Sequence, residues 1–210
     1  MAAISNPDIW KPLIALPVLY ALIFGGFKGR ALVFCLAVAL LLNANLTGLL
    51  KKFVDRHRPK QVERVRMVEL ARARPEFLTL FQKPAIRYSG ERDRERSGPS
   101  FPSGHVMNNV TIAVILAFFF RRWGWLYFLI AFAIAWSRVY LGAHWPSDVL
   151  ATFFLAAGVS ALLLALLEVL YRSLAGRIAP EFFVRHPRLV VGQVSSLPAE
   201  EPEGENLRHR

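Results

Sequence analysis

The chain has 210 residues, is 54% hydrophobic, and carries a formal net charge of +11 although only 20% of its residues are charged. Its mean hydropathy of +0.35 is high for a soluble protein of ordinary composition, and its long apolar runs, with no zinc-finger or RNA-recognition pattern, argue against a nucleic-acid binder. The length suits one domain, with the basic charge lying outside apolar spans and available to anionic lipid or an anionic substrate.

The first apolar run, 9–27, has Trp10 and Lys11 at one end, Lys28 and Arg30 at the other, and Pro12 and Pro17 inside it. It has no basic leader and no small-residue cleavage site, so it reads as a retained anchor. The second run, 31–50, is rich in Leu, Ala and Val and stops at Lys51-Lys52. At ~1.5 Å per residue, about 20 residues cross a ~30 Å hydrocarbon core. Cys35 lies in this run; as the single cysteine it has no disulfide partner in the chain and reads as a packing residue. No His/Cys cluster has zinc-site spacing, and no metal or other cofactor is expected.

Residues 51–100 are dense in Arg and Glu and contain Pro59, Pro75, Pro84 and Pro99. They read as a long polar loop at the membrane surface, with a weakly amphipathic helix over 61–73 that places Val62, Val65 and Val68 on one side. Three more spans follow. Residues 106–120 end at Arg121-Arg122, 123–136 are flanked by Trp and Tyr of the kind that anchor at interfaces, and 149–170 close at Tyr171-Arg172. The Pro/Glu-rich tail, 193–210, is expected to be disordered, which leaves 1–192 as one membrane-embedded domain.

In lipid every backbone polar group needs an internal partner, so the spans are expected to be helices. The predicted architecture is an all-α polytopic membrane bundle of five helices, or six if the first region conceals another. If all five cross, the end of the second, the start of the third and the junction of the fourth and fifth share one face. Three ionisable segments lie there.

In KKFVDRHRP, Lys51 and Arg58 are seven apart. Helical phase continued past Leu50 would put both on one face, two turns apart. Alone, the segment reads more readily as a stop-transfer cluster of positive charge than as a phosphate site. In Phe101-Pro102-Ser103-Gly104-His105, Ser103 is a good N-cap type and Gly104 lets a ligand approach the backbone. The helix N-terminus favours an anion, beside which His105 would lie. In SRVYLGAHWPSD, Pro146 suits the first turn of a helix, and Asp148, four residues beyond His144, is expected to reach back to its ring. A carboxylate on one imidazole nitrogen leaves the other free to attack. Arg138 adds a fork of donors for phosphate oxygens. A buried ion pair between helix ends is the plainer reading of that stretch. Together the segments supply cations for equatorial oxygens, one His to attack phosphorus and one to protonate the leaving oxygen, which is equipment for phosphoryl transfer.

These segments resemble the signature of the type 2 phosphatidic acid phosphatase superfamily, which also includes vanadium-dependent haloperoxidases. That signature reads K-x6-R-P, P-S-G-H and S-R-x5-H-x3-D. The chain has Lys51-x6-Arg58-Pro59, Pro102-Ser103-Gly104-His105 and Ser137-Arg138-x5-His144-x3-Asp148, every fixed position in order. The resemblance implies that His144 is the nucleophile of a phosphohistidine intermediate, Asp148 its orienting partner and His105 the general acid. It implies a phosphate cradle of Lys51, Arg58, Arg138 and the Ser103-Gly104 backbone, with no metal. Membrane members commonly have three spans before the Lys-Arg part, where two are counted here.

The expected activity is hydrolysis of a lipid phosphate or diphosphate held in the bilayer, with undecaprenyl diphosphate first. Phosphatidylglycerophosphate, phosphatidic acid and lipid A 1-phosphate are alternatives, as is transfer to another hydroxyl. A non-catalytic binder of anionic lipid would not need the paired His and Asp. Bacterial relatives place the site on the periplasmic face of the inner membrane, and that placement is expected here. No nucleic-acid partner is expected, and the sequence carries no signal of oligomeric state.

Overall fold

The computed structural model describes residues 7–70, 78, 79, 82–91, 93 and 98–190. Within them the elements are α1 (Pro7–Phe24), α2 (Gly26–Phe53), a short α3 (Pro59–Val62), β1 (Arg66–Glu69), β2 (Ala85–Tyr88), α4 (Gly104–Phe119), α5 (Tyr127–Tyr140), α6 (Pro146–Ile178) and α7 (Pro180–Arg185). The fold is mostly helical, as expected. Two helices, α2 and α6, are long and apolar enough to cross a membrane; α4, α5 with the turn before it, and part of α1 are shorter apolar helices. The tail at 193–210 lies outside the described residues.

Helix α4 is the hub, packing against α2, α5 and α6. Val106, Met107, Val110 and Ala113 are fully buried there, against Ala131 and Ala135 of α5 and Ala156 of α6. Small residues on the neighbours let the backbones approach closely. A polar seam runs through the same contact. Asn43 of α2 donates to Thr111 (3.0 Å) and Asn108 (3.3 Å) of α4, and Ser160 of α6 donates to Thr111 (2.8 Å). Away from water, such groups hold helices in register because the alternative is an unpaired dipole. The outward faces carry Leu41, Phe132, Leu150, Phe154, Leu162 and others, a surface suited to lipid.

Among the described elements helix α1 packs on α2, and it is exposed along most of its length. The chain bends sharply between them. Gly26 adopts φ +56°, and a Cβ on Gly29 would fall 2.2 Å from the Ala21 carbonyl oxygen, so only glycine permits the approach. The region 9–27 holds one helix and then the start of the next, not a hidden second span.

The loop after α2 departs from expectation. The helix expected over 61–73 is absent from 63–70, and 71–73 lie outside the described residues: α3 stops at Val62, and β1 pairs antiparallel with β2 in the register Arg66↔Tyr88 to Glu69↔Ala85. Val68 lies in β1 while Val65 precedes the strand in extended chain, so the two do not share a helix face. Arg87 closes the hairpin: its Nη1 and Nη2 donate to Asp93 (2.6 and 2.9 Å) and its Nε to Glu69 (2.6 Å). Those cationic hydrogen bonds hold the Asp93 carboxyl below the usual range.

At the opposite end of the bundle the chain folds back. Glu168 of α6 accepts from Arg172 Nε (2.7 Å) and from the backbone N–H groups of Leu189 (3.0 Å) and Val190 (2.9 Å). Leu189 and Val190 thereby join the core of Cys35, Ile115 and Phe119.

The turn from α5 into α6 depends on Gly142, which has φ +60°. A Cβ there would also meet Val65 Cγ1 at 2.4 Å. Gly142→Ala is therefore expected to cost at least about 1 kcal/mol from the left-handed backbone alone, and more from the clash. Thermal unfolding in detergent checks this. Val65→Ala in the same chain should recover the clash but not the backbone strain.

Candidate active site

The C-terminus of α2, the N-terminus of α4, the C-terminus of α5 and the N-terminus of α6 meet at one end of the bundle, and all three ionisable segments lie there. Lys51 sits in the last turn of α2. Helical phase does not carry to Arg58. The helix ends at Phe53, Val54 is non-helical, and Arg58 is extended with φ −79° and ψ 153°. A residue before proline is pushed out of the α region, and that is what happens before Pro59. The loop nevertheless returns Arg58 to Lys51 and Arg138, close enough for their charges to interact. Arg58 is fixed by donating from Nε to Gly98 O (2.9 Å) and from Nη2 to Pro99 O (3.4 Å). Burial lowers its pKa.

Ser103 precedes α4 as its N-cap residue but makes no side-chain cap. Its N–H donates to Thr152 Oγ1 (3.1 Å) and its Oγ is buried with no protein partner. Arg138 Nε is likewise buried and unpartnered. Among the described residues these two atoms are the buried side-chain polar groups left unpaired. Both can donate, and both lie on segments that border the site, where an oxyanion would complete them. Among the described residues little crowds Gly104: a Cβ would meet Thr47 Cγ2 at 3.8 Å, an ordinary contact distance. His105 occupies the first turn of α4.

His144 is almost wholly buried, at 3% exposure. Its Nδ1 lies 2.5 Å from the carbonyl oxygen of Ser100. A carbonyl only accepts, so Nδ1 carries the ring proton and Nε2 keeps its lone pair. Burial, followed by the nearby Arg58 and Arg138, drives its pKa down to about 3; the Ser100 carbonyl pulls the other way and Lys51 adds to the lowering.

The expected contact between Asp148 and His144 is absent. Asp148 is fully buried and its carboxylate takes other donors: Arg56 Nη1 at 2.6 Å, Ser100 Oγ at 2.5 Å and the Trp145 N–H at 3.1 Å. A carboxylate in the first turn of a helix lies nearest the backbone N–H of the cap residue, and Pro146 sets that geometry. The capping bond turns Asp148 toward Ser100 and away from the ring.

Sequence reasoning passed over Arg56, Ser100 and Lys60. Arg56 also donates to Ser147 Oγ (3.1 Å) and lies over the Trp145 ring, and Trp145 Nε1 donates to His57 O (2.8 Å). Lys60 N–H donates to Gly142 O (3.2 Å). Burial, then Arg58, lowers the Lys60 pKa, with Asp93 opposing and Arg138 and Arg87 adding to the lowering. In a segment so rich in Arg and Lys, no spacing marked these residues out. Ser100 was visible only as the residue two before Pro102. Among the described residues no group of His, Cys, Asp and Glu has the arrangement of a metal site.

The chain is similar to several known proteins. A 62-residue stretch is 42% identical to an undecaprenyl-diphosphatase of Sulfolobus acidocaldarius, covering 29% of this chain and 30% of that protein. A longer stretch of 156 residues is 28% identical to a lipid A 4'-phosphatase of Bacteroides thetaiotaomicron, covering 72% of this chain and 61% of that one. The chain thus spans less than two thirds of either curated relative. A transmembrane phosphatidylglycerolphosphate phosphatase of Bacillus subtilis superposes with a TM-score of 0.47 and 22% identity over 78% of this chain and 72% of its own. The family pattern itself runs from residue 32 to residue 172, through all three ionisable segments and the helices that carry them, and on that match the chain belongs to the PAP2 superfamily.

Proposed function

We propose that the protein is an integral membrane lipid phosphatase that works through a phosphohistidine and without a metal. The observation that carries this reading is a neutral, buried His144 with a free Nε2, set among Lys51, Arg58 and Arg138. Nε2 attacks the phosphorus as the bond to the leaving oxygen breaks, and His105 gives that oxygen a proton. The cations and the orphaned donors of Ser103 and Arg138 take the charge on the equatorial oxygens. His105 then accepts a proton from water as that water attacks the phosphorus, which frees His144 and releases phosphate.

The substrate we favour is undecaprenyl diphosphate. The name of the Sulfolobus relative supports it, and so does Lys60. This fourth cation lies outside the shared signature, within the field of Arg58 and Arg138, where a second phosphate would need a partner. The lipid A 4'-phosphatase likeness, which covers more of the chain, favours a lipid phosphate monoester as the second reading. We place the site on the periplasmic face of a bacterial inner membrane, by analogy with the family.

Three outcomes are expected of the detergent-purified protein. Phosphate release from undecaprenyl diphosphate should persist in excess EDTA, and His144→Ala should lower it at least about a thousand-fold; loss of activity on chelation would refute the metal-free route. Ligand-free His144 should remain neutral through about pH 5, since only the neutral ring attacks and its protonated form gains population only as pH falls toward its lowered pKa. Histidine ring chemical shifts followed across that range check this, and an ordinary imidazole titration would contradict it. Lys60→Ala should raise KM for the diphosphate by about tenfold and for a lipid monophosphate by much less; equal effects on both would remove Lys60 from the argument for a diphosphate.

A further inference from the structure

Ser100 is fully buried, and each of its polar groups has a different partner. Its N–H donates to Arg56 O (2.7 Å), its Oγ donates to Asp148 Oδ2 (2.5 Å), and its carbonyl accepts from His144 Nδ1 (2.5 Å). Arg56 closes the ring, because the residue whose backbone holds Ser100 also pairs its guanidinium with Asp148. One serine therefore joins the loop after α2, the approach to α4 and the α5–α6 turn.

We infer that Ser100 is a positioning residue through which Asp148 acts on His144: the carboxylate fixes the serine hydroxyl, the fixed serine presents its carbonyl, and the carbonyl selects the Nδ1–H tautomer. The inference rests on the proposed role of His144 as nucleophile. Its chemistry is simple. An imidazole with the proton on Nε2 has no lone pair facing the substrate, so a rate that depends on tautomer depends on whatever holds Nδ1. Asp148 makes no bond to the ring, and Ser100 is the residue bonded to both. Ser100 also lies immediately before Phe101-Pro102-Ser103-Gly104-His105. Its anchoring to Asp148 and Arg56 thus fixes the start of the segment that carries the second histidine.

The test uses the full chain in detergent with 15N-labelled histidine. Without substrate, the parent His144 should show the Nδ1–H tautomer, and Ser100→Ala should show a mixture. With substrate, Ser100→Ala should lower kcat by about 10- to 100-fold with KM within about twofold, and Ser100→Thr, which keeps the hydroxyl, should recover most of the loss. Ser100→Ala combined with Asp148→Asn should lose no more than the worse single variant, since both lie on one path. An Nε2–H tautomer in the parent, a Ser100→Ala rate within about twofold of the parent, or losses that multiply in the double variant would overturn the inference. The tautomer is read with no lipid present. A parent with the Nδ1–H form that releases no phosphate from any lipid would therefore refute the phosphatase reading while leaving the link from Asp148 to His144 standing.

Discussion

A carboxylate with no exposed surface holds the working end of this molecule together. Asp148 gathers a guanidinium, a hydroxyl and a backbone N–H from three parts of the chain remote in sequence. Burying a charge is tolerable only when donors replace the water it has lost, and here the donors are the segments that must meet. The electrostatic requirement of one side chain thereby becomes a geometric constraint on its neighbours. If Arg56 moves, Asp148 loses its countercharge; if Ser100 moves, His144 loses its carbonyl.

The other half of the site follows the opposite rule. Lys51, Arg58, Arg138 and Lys60 lie in one another's fields, and burial lowers the pKa of Arg58 and Lys60. Asp148 pairs with Arg56 and Asp93 with Arg87, and Asp93 also acts on Lys60 through its charge. Like charges held together are costly, and a phosphate group bound among them would relieve that cost. The polar groups already satisfied fix the framework, and those left unsatisfied, Ser103 Oγ and Arg138 Nε, lie where an oxyanion would complete them. Such a division between a settled shell and an expectant centre is what preorganisation requires.

The sequence was most legible where chemistry is dense. Apolar runs located the main helices, although the last long one continues eight residues past the expected end at 170, and parity of the spans brought the three ionisable segments to one end. The segments were legible because each has fixed spacing and turn residues that define it, such as Pro146 before Asp148. The contacts inside them were less so. A helix phase argument linked Lys51 to Arg58, but proline sterics broke that phase, and a returning loop did the work instead. A four-residue spacing suggested that Asp148 touches His144, but the nearer backbone N–H of Trp145 won the carboxylate. The hairpin at 66–69 and 85–88 escaped notice because its strands are short and its strongest signal, Arg87 between Glu69 and Asp93, depends on pairing across residues distant in sequence. Ser100 could not be singled out, since two of its three bonds use backbone atoms, which every residue has.

The fold-back at Glu168 bears on a different matter. Some twenty residues of helix separate Glu168 from Asp148, so the point where Leu189 and Val190 are pinned stands about 30 Å along α6 from the Asp148 end. Leu189 and Val190 are held to the bundle by their two backbone N–H groups and their two buried side chains. A label, reporter domain or assembly factor joined beyond Val190 would thus start from a known place on the bundle, across its full height from the chemistry.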